Sequence, residues 1–442
     1  MTDSKIVILG AGMAGLGAAY YLRRQDQSAV IYDAKIHAGG HTASWVNDDG
    51  FIFDEGPHIS FTKSKRIQQL FSDNVDGEYE TLDSYVDNYY YGHWIKHPAQ
   101  ANLHNLPTEL KASCLLDFIA ADKNEIVSEP ANYLEWLKSV FGDTFAVKFP
   151  AVYAKKYHTL PADQMSTVWI GPRIYRPSME EVVRGALFEQ TDDVHYIPHF
   201  RYPKTGGFYS FLKPFVEASD VRVSHRVIRI DPQAKQITFE NGTRVDYTEL
   251  VSSIPLPDLV SVIDGVPDTV RAAAASLACT TCVTVNVGLT RNDFTGATWS
   301  YFYDEDITFT RLSFPHRMSP GTCPPGHGSI QAECYYSTKY RPLNVAPEDL
   351  VAPVIADLKR VGLMREDEPI VHTSVRLIPY ANIIFDLDRE TALPIVQDWL
   401  AKIGIHCAGR YGIWGYHWTD ESFISGEEAA AAALAHLSDP VT

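Results

Sequence analysis

Three glycines near the start of the chain, Gly10, Gly12 and Gly15, stand at Gly-x-Gly-x-x-Gly spacing, and an acid, Asp33, follows them. Residues of these types at this spacing suit a dinucleotide. Gly10 permits a tight turn, Gly12 lets the backbone approach a pyrophosphate, and Gly15 lets the next segment pack closely. Met13 and Ala14 open that segment, whose free N–H groups would face the phosphates. Asp33 stands where a carboxylate bonds an adenosine ribose 2′-OH.

The elements needed to hold these residues occur in order. An apolar β run from Lys5 to Leu9 leads into the turn. The Ala-rich stretch from Ala14 to Leu22 has helical periodicity, and Ala29 to Tyr32 is a second β run that delivers Asp33. Strand, turn, helix and strand make a Rossmann-like unit. Gly39 and Gly40 follow Asp33 after a short spacer. This pattern resembles the FAD-binding signature of the glutathione-reductase and amine-oxidase superfamily. No second Gly-x-Gly-x-x-Gly follows, which argues against a reductase with separate FAD and NAD(P)H domains.

The 442 residues are enough for two or three domains. Apolar and charged contents of 45% and 21% are globular values. A net charge of −17 argues against nucleic acid and anionic membrane surfaces, and an anionic substrate would need local arginines. The opening "MTDSKIVILG" leaves no room for a signal peptide before the first strand, and no apolar run reaches membrane-span length. Six scattered cysteines fit a reducing compartment, so the expected location is cytoplasmic. Cys279 and Cys282 lie in "CTTCVTVNVGL", which alternates like a strand, and read as ordinary strand thiols. No Cys/His cluster has zinc spacing, and no metal is expected. The sequence leaves an oligomer open.

Further along, Asp49-Gly50 reads as a hairpin turn, Glu55 to Thr62 as a loop, and Ser64 onward as a helix. "DEGPHISFT" resembles a stretch of the UDP-galactopyranose mutases and of protoporphyrinogen-oxidase-like proteins. The resemblance puts Pro57 and His58 against the flavin ring; on its type alone, His58 reads as a loop histidine. Residues 82–98 read as strand, Gly92 turn, strand. Their tyrosines and Trp94 either cover a core or wall a ligand pocket. Residues 109–195 have helical spacing with breaks at Pro130, Gly142, Pro150 and Pro161. Through "WIGPR" the mutase resemblance makes Arg173 one of two arginines that hold a substrate diphosphate.

Residues 201–265 return to the nucleotide domain, with a hairpin turn at Asn241-Gly242 and "LVSSIPL" as a parallel strand. Val227 in this stretch and His41 are further FAD contacts by the same resemblance. Residues 270–385 alternate apolar and polar, as an antiparallel sheet with one covered face would. Within them, Trp299, Tyr301 and Arg311 are spaced as in eukaryotic UDP-galactopyranose mutases, which implies that Arg311 is the second diphosphate arginine and that Tyr301 packs beside it. In the C-terminal block a β run enters Gly409-Arg410, and Ser425 can cap an Ala-rich helix with Glu427 and Glu428 in its first turn. By resemblance Arg410 and Tyr416 are active-site residues, and Asp420 and Ser422 lie near the flavin ribityl chain. Where the mutases carry a substrate-placing Trp, Asn, Arg and Tyr, this chain has His158, Ala154, Asp87 and Asn382.

The expected fold is α/β: a discontinuous Rossmann-like FAD-binding domain (1–80, 201–265 and 389–442), a helical substrate domain (109–200), and an antiparallel β-sheet substrate domain (266–388) with its hairpin at 81–108. The resemblance implies a mutase-like isomerase on a small molecule, a nucleoside-diphosphate sugar, in which reduced flavin N5 displaces and then returns the diphosphate. The alternatives are an FAD oxidase or dehydrogenase of the amine oxidase or protoporphyrinogen oxidase type, and a non-catalytic flavin-fold binding protein.

Overall fold

The computed structural model describes residues 6–123, 129–171, 174–189 and 197–438. Its centre is a parallel five-stranded sheet in the order Ile405–Cys407, Glu249–Ser252, Ile6–Leu9, Ala29–Tyr32, Asp220–Arg222. Alternation along the first strand sends Ile6 and Ile8 into one core and Val7 and Leu9 into another. Both faces are therefore covered, which is what parallel sheets require. On one face lie the helices Met13–Arg24 and Thr419–Ser438. On the other lie Leu256–Val262, Asp268–Ser276 and Arg389–Lys402, with a small antiparallel sheet. In that small sheet Asn241-Gly242 turns the chain, with Gly242 at φ +83.

The last helix starts earlier than the sequence suggests. It spans Thr419–Ser438, so Asp420 and Glu421 occupy its first turn, and Ser425, Glu427 and Glu428 are interior. Glu421 accepts a hydrogen bond from the Trp418 N–H at 2.9 Å and begins the helix there. Ser425 instead accepts the Gly409 N–H at 3.0 Å, and Glu427 pairs with Arg66 at 2.5 Å. The small residues around Ser425 serve helix packing. A Cβ on Gly426 would lie 1.9 Å from the Ala14 carbonyl oxygen, and one on Gly17 would lie 2.1 Å from that of Phe423.

A second sheet has seven strands in the order Ile370–Ile383, Cys279–Leu289, Gly328–Tyr336, Arg311–Ser313, Trp299–Phe302, Val86–Tyr90, His93–Lys96. It is antiparallel except where Trp299–Phe302 runs parallel to Val86–Tyr90. The expectation of one covered face fails for its central strands, which are buried on both faces. Val283, Val285 and Val287 pack under Val354 and Leu358. The alternate positions, Cys282, Glu333 and Tyr335, face a cleft rather than solvent. Gly92, at φ +87, turns the aromatic hairpin. Of the two roles open to that hairpin, packing is what it performs: Tyr89 and Trp94 pack with Phe302, and Tyr90 stacks on Phe149 at 4.7 Å. Helices from Thr108–Asp122 to Met179–Leu187 enclose a separate core that includes Phe141, Phe145 and Phe149.

The helix contact gives a direct test. Gly426→Ala places a methyl into the Ala14 carbonyl, and overpacking of this kind costs roughly 1–3 kcal/mol. The variant is expected to unfold at a lower temperature than wild type in a thermal melt. An unchanged midpoint would mean that the two helices do not cross this closely.

Candidate active site

A cleft of about 840 Å³ opens where the C-terminal edge of the parallel sheet meets the seven-stranded sheet. Its outer half is built on the first turn. Gly10 adopts φ +97, a conformation that favours glycine, and its N–H donates to the Tyr32 carbonyl at 2.8 Å. The Asp33 carboxylate accepts one N–H from Ala11 at 2.7 Å and one from Lys35 at 2.8 Å. Two bonds leave acceptor capacity on that carboxylate for a hydroxyl. Gly12 and Gly40 face each other across the cradle. A Cβ on Gly40 would lie 3.0 Å from the Gly12 Cα, and one on Gly12 would lie 3.6 Å from the Gly40 Cα. The walls there are bare backbone, a shape that admits phosphate oxygens. Gly15 is not on the lining. It sits behind the turn, where a Cβ would lie 1.8 Å from the Gly10 carbonyl oxygen.

Of the other residues singled out in the sequence, Met13, Ala14, Gly39, His41, Pro57, His58, Val227 and Ser422 line the cleft. Asp420 does not; it is two residues before Ser422, about 200° around the helix. Arg173 lies outside the described residues. His58 donates its Nδ1–H to the Gly56 carbonyl at 2.8 Å, and burial pushes its pKa down to about 4. The ring is therefore neutral near pH 7, with Nε2 as an acceptor. His41 donates Nε2–H to the Pro379 carbonyl at 3.0 Å, and burial lowers its pKa also.

The inner half is aromatic and charged. Arg311 forms a two-pronged ion pair with Glu333, whose carboxylate also accepts the Tyr335 hydroxyl at 2.8 Å. The free guanidinium that the sequence suggests is thus already half engaged; two of its five donors are used. Arg410 differs. Its Nη2 donates to Asn382 Oδ1 at 2.9 Å and its Nη1 to the His417 carbonyl at 3.1 Å, and its Cζ lies 4.5 Å from the Tyr416 ring centroid. Its Nε is buried without a partner, and among the described residues no carboxylate pairs with it. Asn382 also accepts the Tyr157 hydroxyl at 2.9 Å, and Tyr301 accepts the Trp299 Nε1–H at 3.0 Å. His158, Ala154 and Asp87 are off the lining.

Glu333, Tyr157, Tyr335 and the Lys35–Glu55 ion pair at 2.5 Å are cleft residues that sequence reasoning did not pick out. Glu333 lies directly opposite Arg311 in register, with Tyr335 on the same face two residues further along the strand, a pairing that strand register creates and local spacing does not signal.

The model of the family described as flavin-containing amine oxidoreductase matches residues 13–434. Among solved structures, a reduced UDP-galactopyranose mutase superposes with a TM-score of 0.92 at 27% identity, covering 98% of this chain and 94% of that one. A protein assigned as a protoporphyrinogen oxidase, from Exiguobacterium sp. 255-15, superposes with a TM-score of 0.76 at 18% identity, covering 98% and 99%. The 15-cis-phytoene desaturase of Solanum lycopersicum is 39% identical over 69 residues, which are 16% of this chain and 12% of that protein.

Buried histidines make the site acid-sensitive. His158 is 3% exposed, and its Nδ1 has no hydrogen-bond partner among the described residues. Burial and then the nearby Arg410 charge push its pKa down from 6.5 to about 3. Below pH 6.5 the unfolded chain binds a proton that the folded ring refuses, so stability falls as pH falls toward the folded value. His158→Leu cannot ionise. It is expected to lose less of its denaturation midpoint than wild type when the pH is lowered from 6.5 toward 4. Equal losses would show that His158 is not held neutral.

Proposed function

The chain belongs to the flavin-containing amine oxidoreductase family, and on that premise we propose that this FAD protein is a mutase-like enzyme acting on a nucleoside-diphosphate sugar. The cradle fits the cofactor on three observations: backbone walls at Gly12 and Gly40, spare acceptor capacity on Asp33, and at the opposite end an arginine whose Nε is buried and which pairs with no acid among the described residues. Gly10, Gly12 and Gly40 would receive the pyrophosphate, and Asp33 the ribose. Bound and reduced, FAD would supply the nucleophile for isomerising a sugar ring.

One observation carries the reading: Arg410 lines the inner cleft with its Nε buried and unpartnered, and among the described residues no carboxylate pairs with it. A buried positive charge needs an anion, and a cationic amine in the same space would be repelled. A reduced flavin ring or a diphosphate supplies that anion. Arg311 retains three donors beyond its bonds to Glu333, enough to hold phosphate oxygens without adding uncompensated charge. The tyrosine hydroxyls of Tyr157, Tyr301 and Tyr416 suit a polyhydroxylated ligand. Arg173 would be the second clamp. The likeness to a UDP-galactopyranose mutase over nearly the whole chain supports the same assignment.

Two experiments test it. Gly12→Val fills the cradle without a backbone clash, since a Cβ there has ordinary spacing to Gly40. The variant is expected to be soluble and colourless; full flavin occupancy would remove Gly12 from the phosphate site. UDP, GDP and dTDP are then titrated into the reduced protein. Arg311→Lys keeps a charge for Glu333 but loses the fork. Nucleotide affinity is expected to drop about 1.5–3 kcal/mol, roughly tenfold to a hundredfold, with flavin content unchanged. If wild type binds none of the three, yet an amine or polycyclic compound bleaches its oxidised flavin, the protein is an oxidase.

A further inference from the structure

At the end of the parallel sheet opposite the cleft, three residues from distant parts of the chain meet. Glu249 opens one parallel strand, His406 lies in the neighbouring strand, and His436 is in the last turn of the C-terminal helix. The Glu249 carboxylate accepts from His406 Nε2 at 2.9 Å and from His436 Nδ1 at 2.9 Å. One ligand atom from each residue lies within 4.8 Å of the others. The Glu249 side chain is only 4% exposed, and among the described residues no lysine or arginine pairs with it.

We propose that Glu249, His406 and His436 form a binding site for a divalent transition metal of the zinc class. Two imidazole nitrogens and a carboxylate oxygen are a donor set that Zn²⁺ takes, at about 2.0–2.2 Å each. Tetrahedral donors at that range stand roughly 3.3 Å apart; here one Glu249 oxygen lies 2.9 Å from His406 Nε2, the other 2.9 Å from His436 Nδ1, and one ligand atom from each residue lies within 4.8 Å of the others, so the three side chains need only turn toward a shared point. Calcium and magnesium, which prefer all-oxygen shells, are disfavoured. His436 is half-exposed, so the metal has an entry path and room for a water as fourth ligand.

The site is structural. The helix bearing His436 starts at Thr419 on the cleft wall, about 25 Å away along its axis. The metal would fasten the far end of that helix to two strands of the sheet and has no path to the reacting atoms. Its ligands must lose their imidazole protons from the metal-bound nitrogens, so binding weakens as pH falls.

The test uses the full chain with FAD bound, stripped by a chelator and dialysed against micromolar zinc sulfate. One zinc per chain is expected, together with a higher melting temperature. His436→Asn changes a half-exposed side chain, so the fold and the flavin spectrum should persist. Zinc affinity should nevertheless drop beyond the roughly tenfold to hundredfold that loss of a supporting hydrogen bond costs. His406→Asn combined with His436→Asn should bind no zinc. Failure of wild type to retain zinc, or equal uptake by the double variant, would overturn the proposal. Flavin binding and nucleotide binding are separate readouts, so this result does not depend on the mutase assignment.

Discussion

Two helices from opposite ends of the described chain touch backbone to backbone, and the cleft depends on that contact. Gly17 and Gly426 remove the Cβ atoms that would keep Met13–Arg24 and Thr419–Ser438 apart. The approach brings the Thr419 end of the last helix beside the Gly10 turn and lets Ser425 receive the Gly409 N–H. The strand Ile405–Cys407 then completes the sheet edge against Glu249–Ser252. Without the close crossing, the glycine cradle and Arg410 would belong to separate pieces of surface.

Charge in the cleft is arranged by difference. Arg311 and Arg410 both line the inner cleft, but among the described residues only Arg311 has an acid. The overall charge of −17 would turn anions away, so a single uncompensated guanidinium makes a local exception to the global field. Asn382 has a part in this. Its one side-chain oxygen takes hydrogen bonds from both Arg410 and Tyr157, which fixes the arginine without neutralising it. An aspartate at that position would cancel the charge.

The α/β fold and the FAD cradle were legible because their signals are local. Gly10, Gly12 and Asp33 lie within one strand-turn-helix-strand unit, and spacing alone orders them. Asn241-Gly242 and Gly92 mark turns for the same reason. What escaped was set by tertiary contact. Ser425 has the chemistry of a helix cap, yet Glu421 starts the helix earlier and the small residues around Ser425 serve packing. Arg311 looked free because its partner Glu333 sits on another strand. The alternate positions of Cys279–Leu289 and Gly328–Tyr336 read as a solvent face, but Cys282, Glu333 and Tyr335 face the cleft, and Asn286 and Gln331 are buried against each other. Alternation distinguishes two faces and does not say what lies beyond each. The Glu249, His406 and His436 cluster has no sequence signature at all, since parallel strand pairing and a helix end assemble it.

Strand order in the parallel sheet also governs when the cofactor site can exist. The Gly10 turn is flanked in space by Ser252-Ser253 and by Gly409, which are synthesised late. During translation the N-terminal unit emerges with one sheet edge bare and its Gly17 surface uncovered. Pairings this far apart in sequence form slowly, after most of the loop-closure entropy has been overcome. A nascent chain therefore cannot hold FAD in a closed cradle until residues beyond Phe423 have left the ribosome. Until Glu249–Ser252 are made, the edge of Ile6–Leu9 is open to wrong partners.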